Sequence, residues 1–203
     1  MYRIVSGSLS VLAGISIFFG FLGLIPYSGI SQIFSLALAL FTALIVNIIL
    51  STILRIPANH ESAVITALIL FFLAMPEENI FDTWPLMVAV AIGVASKYII
   101  AYKKQHFLNP AALGAAALSV IGVYTFSWWI ANPVLFVPLL ICGVLVVMKV
   151  RKWLPVMAFV SVSFVIYLAE SASYGSGGYE AIRTFLLSWP TLFLAFYMLT
   201  EPF

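Results

Sequence analysis

The side chains of this chain that can do chemistry are few, and they recur where apolar runs begin and end. Asn59, Ser62 and Thr66 open one run, Lys97 closes the next, Asn109 with Pro110, Ala111 and Gly114 opens the one after, and Thr200 and Glu201 close the last. Such hydroxyls, carboxamides, ammonium and carboxylate can hydrogen-bond a polar ligand and stabilise a charge on it. In a membrane they are costly, so a cluster of them marks a pathway or a site. Each also has a structural reading: Ser62 and Asn109 as helix N-caps, Thr66 bonded back to its own helix, Lys97 extended toward lipid headgroups. Residue types alone leave both readings open. The two histidines, His60 and His106, fall in loops, whereas haem-binding bundles carry axial histidines within their helices. Cys142 is the single cysteine, which excludes an intrachain disulfide and any multi-cysteine metal or iron–sulfur site.

Lys97 to Ala117 is the centre of this arrangement. An apolar run ends at Ala101, Lys103, Lys104, Gln105 and His106 form a polar break, and Asn109-Pro110 starts a new helix. Proline in a first turn sacrifices no hydrogen bond, and asparagine before it is a good N-cap. Ala111, Ala112, Gly114, Ala115, Ala116 and Ala117 are small enough for either a second helix backbone or a flat cofactor to lie against this turn.

The elements that position these residues follow from composition. With 64% hydrophobic residues, 8% charged and a mean hydropathy of +1.17, the chain lies far outside the roughly 25% charged content of soluble domains. It is expected to be an all-α, polytopic integral membrane protein, a single transmembrane domain over residues 1–203 in a lipid bilayer. A formal charge of +2 gives no reason to expect nucleic acid. A crossing takes about 20 apolar residues, and runs at 9–25, 33–54, 63–75, 85–101, 110–129, 133–148, 154–169 and 185–199 predict about eight transmembrane helices. The third is short for a full crossing. No small-residue cleavage site follows the basic start at Arg3, so the first run reads as an uncleaved helix. Asn47, inside the second, reads as a helix–helix hydrogen bond.

Arg3, Arg55, Lys103, Lys104, Lys149, Arg151 and Lys152 all fall on one side of this topology, with Lys97 near it and Arg183 opposite. Basic residues concentrate in cytoplasmic loops, which places both termini in the cytoplasm of a multi-pass plasma (inner) membrane protein. Thr66 to Pro76 and Thr191 to Pro202 both run threonine, apolar stretch, aromatic pair, proline. They lie five runs apart and so have opposite orientations, the pattern of an inverted repeat with a ligand at its interface. On that repeat, a ten-span fold is cut after its eighth span.

Four segments also carry a family resemblance. His60-Glu61-Ser62-Ala63-Val64-Ile65-Thr66-Ala67 looks like the family stretch Asp-x-Ser, three apolar residues, Thr-Gly. Lys97 resembles a lysine after the next span, Leu108-Asn109-Pro110-Ala111 resembles Phe-Asn-Pro-Ala, and Thr200-Glu201-Pro202 resembles Thr-Asp-Pro. In that order they are similar to motifs of the flavin-carrying membrane subunits of the Rnf electron-transport complex and of the sodium-translocating NADH:quinone oxidoreductase. The resemblance spans about residues 58–203.

It implies an electron-transfer component of an oxidoreductase, with Asn59, Ser62, Thr66, Lys97, Asn109, Pro110, Ala111, Gly114, Thr200 and Glu201 around a flavin. The flavin implied is noncovalent, riboflavin or FMN. Family members esterify FMN to a threonine in a Ser-Gly-Ala-Thr-like motif, whereas the corresponding segment here, Tyr124 to Pro133, holds Thr125 without that context. An isoalloxazine ring needs an apolar slot, a few hydrogen-bond partners and a nearby cation for its reduced anion. The partner implied is a redox protein or a fused cytoplasmic FAD- and NAD-binding module. The competing reading is a small-solute channel or transporter, since the family's fold resembles urea transporters.

Overall fold

The computed structural model describes residues 2–102, 105–106, 108–173, 178–187 and 190–200. In chain order these form α1 (Tyr2–Phe21), α2 (Gly29–Leu54), α3 (His60–Leu73), α4 (Ile80–Ile99), a two-residue antiparallel pair of β1 (Ala101–Tyr102) with β2 (Gln105–His106), and α5 (Pro110–Val120). A single 3₁₀ turn, Pro133–Leu135, runs into α6 (Phe136–Val150), followed by α7 (Trp153–Ser173), α8 (Gly178–Leu187) and the short α9 (Thr191–Phe193). α9 continues as a π turn over Leu194–Met198, where Leu199 N–H bonds to Leu194 O.

Local chemistry sets most of the starts. Ser28, Asn59, Asn79 and Asn109 each accept a side-chain hydrogen bond from the N–H of Ser31, Ser62, Phe81 and Ala112, satisfying donors that the first turn leaves unpaired. α2 stops at Arg55, which takes a left-handed conformation (φ 54°) and returns its N–H to the last turn.

α1, α2, Pro133–Val150 and α7 are each long and apolar enough to cross a bilayer, and α8 with Thr191–Met198 makes a fifth when its 47° bend is counted within one span. Large apolar side chains such as Phe18, Phe41, Val165 and Ile166 point outward from them, where only lipid tails are a suitable solvent. This is a helical membrane protein.

The shorter helices pack inside. α3 has 14 residues and α5 has 11, about 21 and 16 Å at 1.5 Å per residue, against a hydrocarbon core of about 30 Å. Nearly every residue of α3 from Ser62 to Leu73 is buried, as befits a helix apolar all round, and α1, α2, α4 and α5 surround it. The helix expected over 110–129 ends at Val120. Gly122 turns the chain at φ 71°, and residues 121–132 fold back on the end of α3. There Ser127 and Trp128 N–H both reach Leu73 O, and the Trp129 indole N–H reaches Phe71 O at 2.7 Å. A buried helix end needs partners for its last carbonyls, and this segment supplies them instead of extending α5. α1, α2 and α3 pack pairwise on one another. Later in the chain α7 packs chiefly on α8 and only lightly on α6, the α9 segment lies against α6, and α1 lies on α6.

Candidate functional site

Four sequence-distant segments meet at the start of α3. Asn59 caps the helix through Ser62 N–H at 3.1 Å, and Thr66 Oγ1 donates back to Ser62 O at 3.3 Å. From the last turn of α4, Lys97 reaches across: its Nζ lies 2.7 Å from Ser62 O and 2.6 Å from Ser62 Oγ, and the residue is only 9% exposed. Asn109 caps α5 through Ala112 N–H at 3.0 Å and donates its Nδ2 to Met198 O at 3.1 Å, which ties the π turn to the same end. Thr200 is fully buried, its hydroxyl bonded back to Phe196 O. Glu201 lies outside the described residues, as do Lys103 and Lys104 of the central loop.

No known family model, curated protein or solved structure matches the chain.

The small-residue turn is filled by protein. A Cβ on Gly93 of α4 would stand 2.7 Å from Pro110 O and 3.0 Å from Thr66 Cγ2, and one on Gly114 would run into the Ala89 carbonyl. Pro110, Ala111 and Gly114 are buried, so α4 and α5 touch backbone to backbone. Of the two occupants that small residues admit, a second helix has taken the place, and a flat ring has no room between Gly114 and α4. The polar part of the expected set is arranged differently. Lys97 Nζ, Ser62 Oγ and the Asn109 amide lie at one end of the bundle beside exposed Asn59. The N-termini of α3 and α5 meet there, each carrying partial positive charge that adds to the ammonium, while the C-terminus of α4 offsets part of it. Chemically, this arrangement favours an anionic or carbonyl-rich group.

A second polar chain at this end gave little signal in the sequence. Tyr98 OH donates to Asn47 Oδ1 at 2.6 Å, and Asn47 Nδ2 faces His60 Nδ1 at 3.3 Å, joining α4, α2 and α3. Asn47 as a helix–helix hydrogen bond is thus observed, but its partners lie 13 and 51 residues away. Arg3 Nε pairs with Glu61 at 2.9 Å on the surface nearby. Among the described residues no cluster of histidine, cysteine or acid suits a metal ion.

The far end of α3 is chemically different. An open cleft of about 420 Å³ is bordered by Tyr27, Ser28, Ser31, Glu77, Glu78, Asn79 and Asp82 with Pro26 and Pro76. Ser28 Oγ donates to Glu78 at 2.8 Å, and Ser35 Oγ accepts from Glu77 N–H at 2.9 Å. Burial, then the Glu77 carboxylate, raises the phenol of Tyr27. Burial chiefly raises Tyr124 as well, whose oxygen accepts from Met75 N–H.

Proposed function

We propose that this protein is a membrane-embedded electron-transfer component resembling the flavin-carrying membrane subunits of the Rnf complex and of the sodium-translocating NADH:quinone oxidoreductase. On this reading it binds a noncovalent flavin, riboflavin or FMN, and exchanges electrons with a redox protein or a FAD- and NAD-binding module. One observation supports it: the resembling segments are joined by tertiary hydrogen bonds, buried Lys97 to Ser62 and Asn109 to Met198 next to the Thr200 turn. A cation so placed opposes the macrodipole of α3. A flavin when bound supplies the redox chemistry. The residues fitted to hold it are Asn59, Ser62, Lys97 and Asn109, with Thr66 and Thr200 behind them. Pro110, Ala111 and Gly114 shape the site by setting how closely α5 approaches α4.

The same reading has eight membrane passages arranged as an inverted repeat, supported by the sequence echo between Thr66–Pro76 and Thr191–Pro202. It has both termini in the cytoplasm of the plasma membrane. Cysteine labelling tests the topology, with K104C accessible only from the cytoplasm and E78C only from outside. Spectroscopy of the purified protein tests the function: flavin absorbance should accompany the folded chain and leave it completely on denaturation. Colourless protein, from cells supplied with riboflavin, sinks the proposal, and fluorescence fixed to the polypeptide on a denaturing gel sinks noncovalent attachment.

The cleft at the other end of α3, together with half-length helices inside the bundle, favours a second reading as a small-solute channel or transporter. Solute flux through flavin-free protein in liposomes would establish it.

A further inference from the structure

We propose that His60, Asn47 and Tyr98 form a proton-responsive hydrogen-bond switch that transmits the charge state of an exposed histidine through a buried asparagine to a half-buried tyrosine. His60 is exposed at the first turn of α3, whereas Asn47, its partner on α2, is only 2% exposed. Asn47 Nδ2 faces His60 Nδ1 at 3.3 Å, and in the tautomer with its proton on Nε2 the Nδ1 atom accepts from the amide. The other face of the amide, Oδ1, takes the Tyr98 proton at 2.6 Å, and the Asn47 backbone oxygen lies 3.3 Å from the same hydroxyl.

Imidazoles take up a proton between about pH 5 and 8. When Nδ1 gains one, two donors face each other. Turning the Asn47 carboxamide by half a rotation removes the conflict: Oδ1 then accepts from the imidazolium, in a charge-assisted bond. Nδ2 is thereby presented to Tyr98, whose oxygen accepts it and whose proton turns to Asn47 O. Every polar group keeps a partner in both states, so the exchange of one arrangement for the other costs little, and only Tyr98 changes from donor to acceptor at the amide. Among the described residues, the charged and titratable groups on the elements that pack with the start of α3 are Glu61 on its own helix, held by Arg3 of α1, then Arg55 at the end of α2 and Lys97 with Tyr98 on α4.

NMR of the intact protein in detergent micelles, with ring-nitrogen-labelled histidine and ¹³Cζ-labelled tyrosine, tests this. The Tyr98 signal, assigned by Y98F, should move between pH 5 and 8 in step with the His60 nitrogens. H60Q, at an exposed position, should hold the Tyr98 signal constant over that range. N47L should break the link, so that the Tyr98 signal no longer follows the His60 nitrogens. A Tyr98 signal that is silent in the wild type, or that still moves in H60Q, overturns the switch.

Discussion

At its start α3 is held by side chains: Asn59 caps it, and the Lys97 ammonium from α4 lies on Ser62. At its finish it is held by main chain and indole, with Ser127 and Trp128 N–H on Leu73 O and Trp129 on Phe71 O. Around that second end the rings of Phe71, Phe72, Tyr27 and Trp129 pack edge-on or tilted at 5.1–5.5 Å. Both ends satisfy the unpaired backbone groups that every helix terminus carries, the first through the Asn59 cap, and there the Lys97 ammonium adds a buried charge that donates to Ser62 O and Oγ instead of serving those groups. The Asn59 cap serves the first-turn N–H without the lysine, so the charge is more than the helix start requires. That surplus is why the functional reading is placed at the Lys97 end.

Four changes separate the two ends. Gly114→Leu has the largest expected effect, because its side chain meets the Ala89 carbonyl rather than open space. Forcing α5 from α4 should cost about 3 kcal/mol or more, read as loss of monodisperse protein in detergent, and it dismantles the Lys97 end as a whole. Lys97→Met should cost about 2–3 kcal/mol through two lost charge-assisted bonds and, on the flavin reading, empty the protein of cofactor while it still inserts. Full flavin retention in this variant would move the site elsewhere. Trp129→Phe strands the Phe71 carbonyl and should cost about 1–3 kcal/mol in reversible unfolding, with flavin content per folded chain unchanged. If it instead depletes the flavin without lowering stability, the contrast between the ends fails.

The smallest expected effect is of pH. The Tyr124 phenol is raised above 10.0 by burial, with Glu77 adding to the shift. Its contribution to stability is therefore complete below pH 10 and is lost as pH rises through the folded value. Thermal unfolding between pH 9 and 11.5 should show this decline, and Tyr124→Phe should reduce it. An unchanged decline assigns it to other groups.

The sequence by itself determined the membrane class, through its composition, and the helix start at Asn109, because a cap bond spans three residues and is written locally; α3 instead starts at His60 with Asn59 as its cap, and Ser62, expected as the cap, lies inside the first turn and gives its N–H to Asn59. The sequence also marked each described residue of the polar cluster, since polar side chains stand out in apolar runs. Tertiary structure decided what those residues touch. Lys97 and Ser62 are 35 residues apart, and Asn109 and Met198 are 89 apart. No local periodicity encodes either pair. It also decided that α5 ends at Val120, although the apolar run continues to Trp129: the carbonyls of a buried helix had to be satisfied, and residues 121–132 were the donors within reach. The same holds for the turn of small residues. Composition stated that something could lie close to Gly114, and only the fold specified α4, because closeness is a property of two surfaces and the sequence displays one.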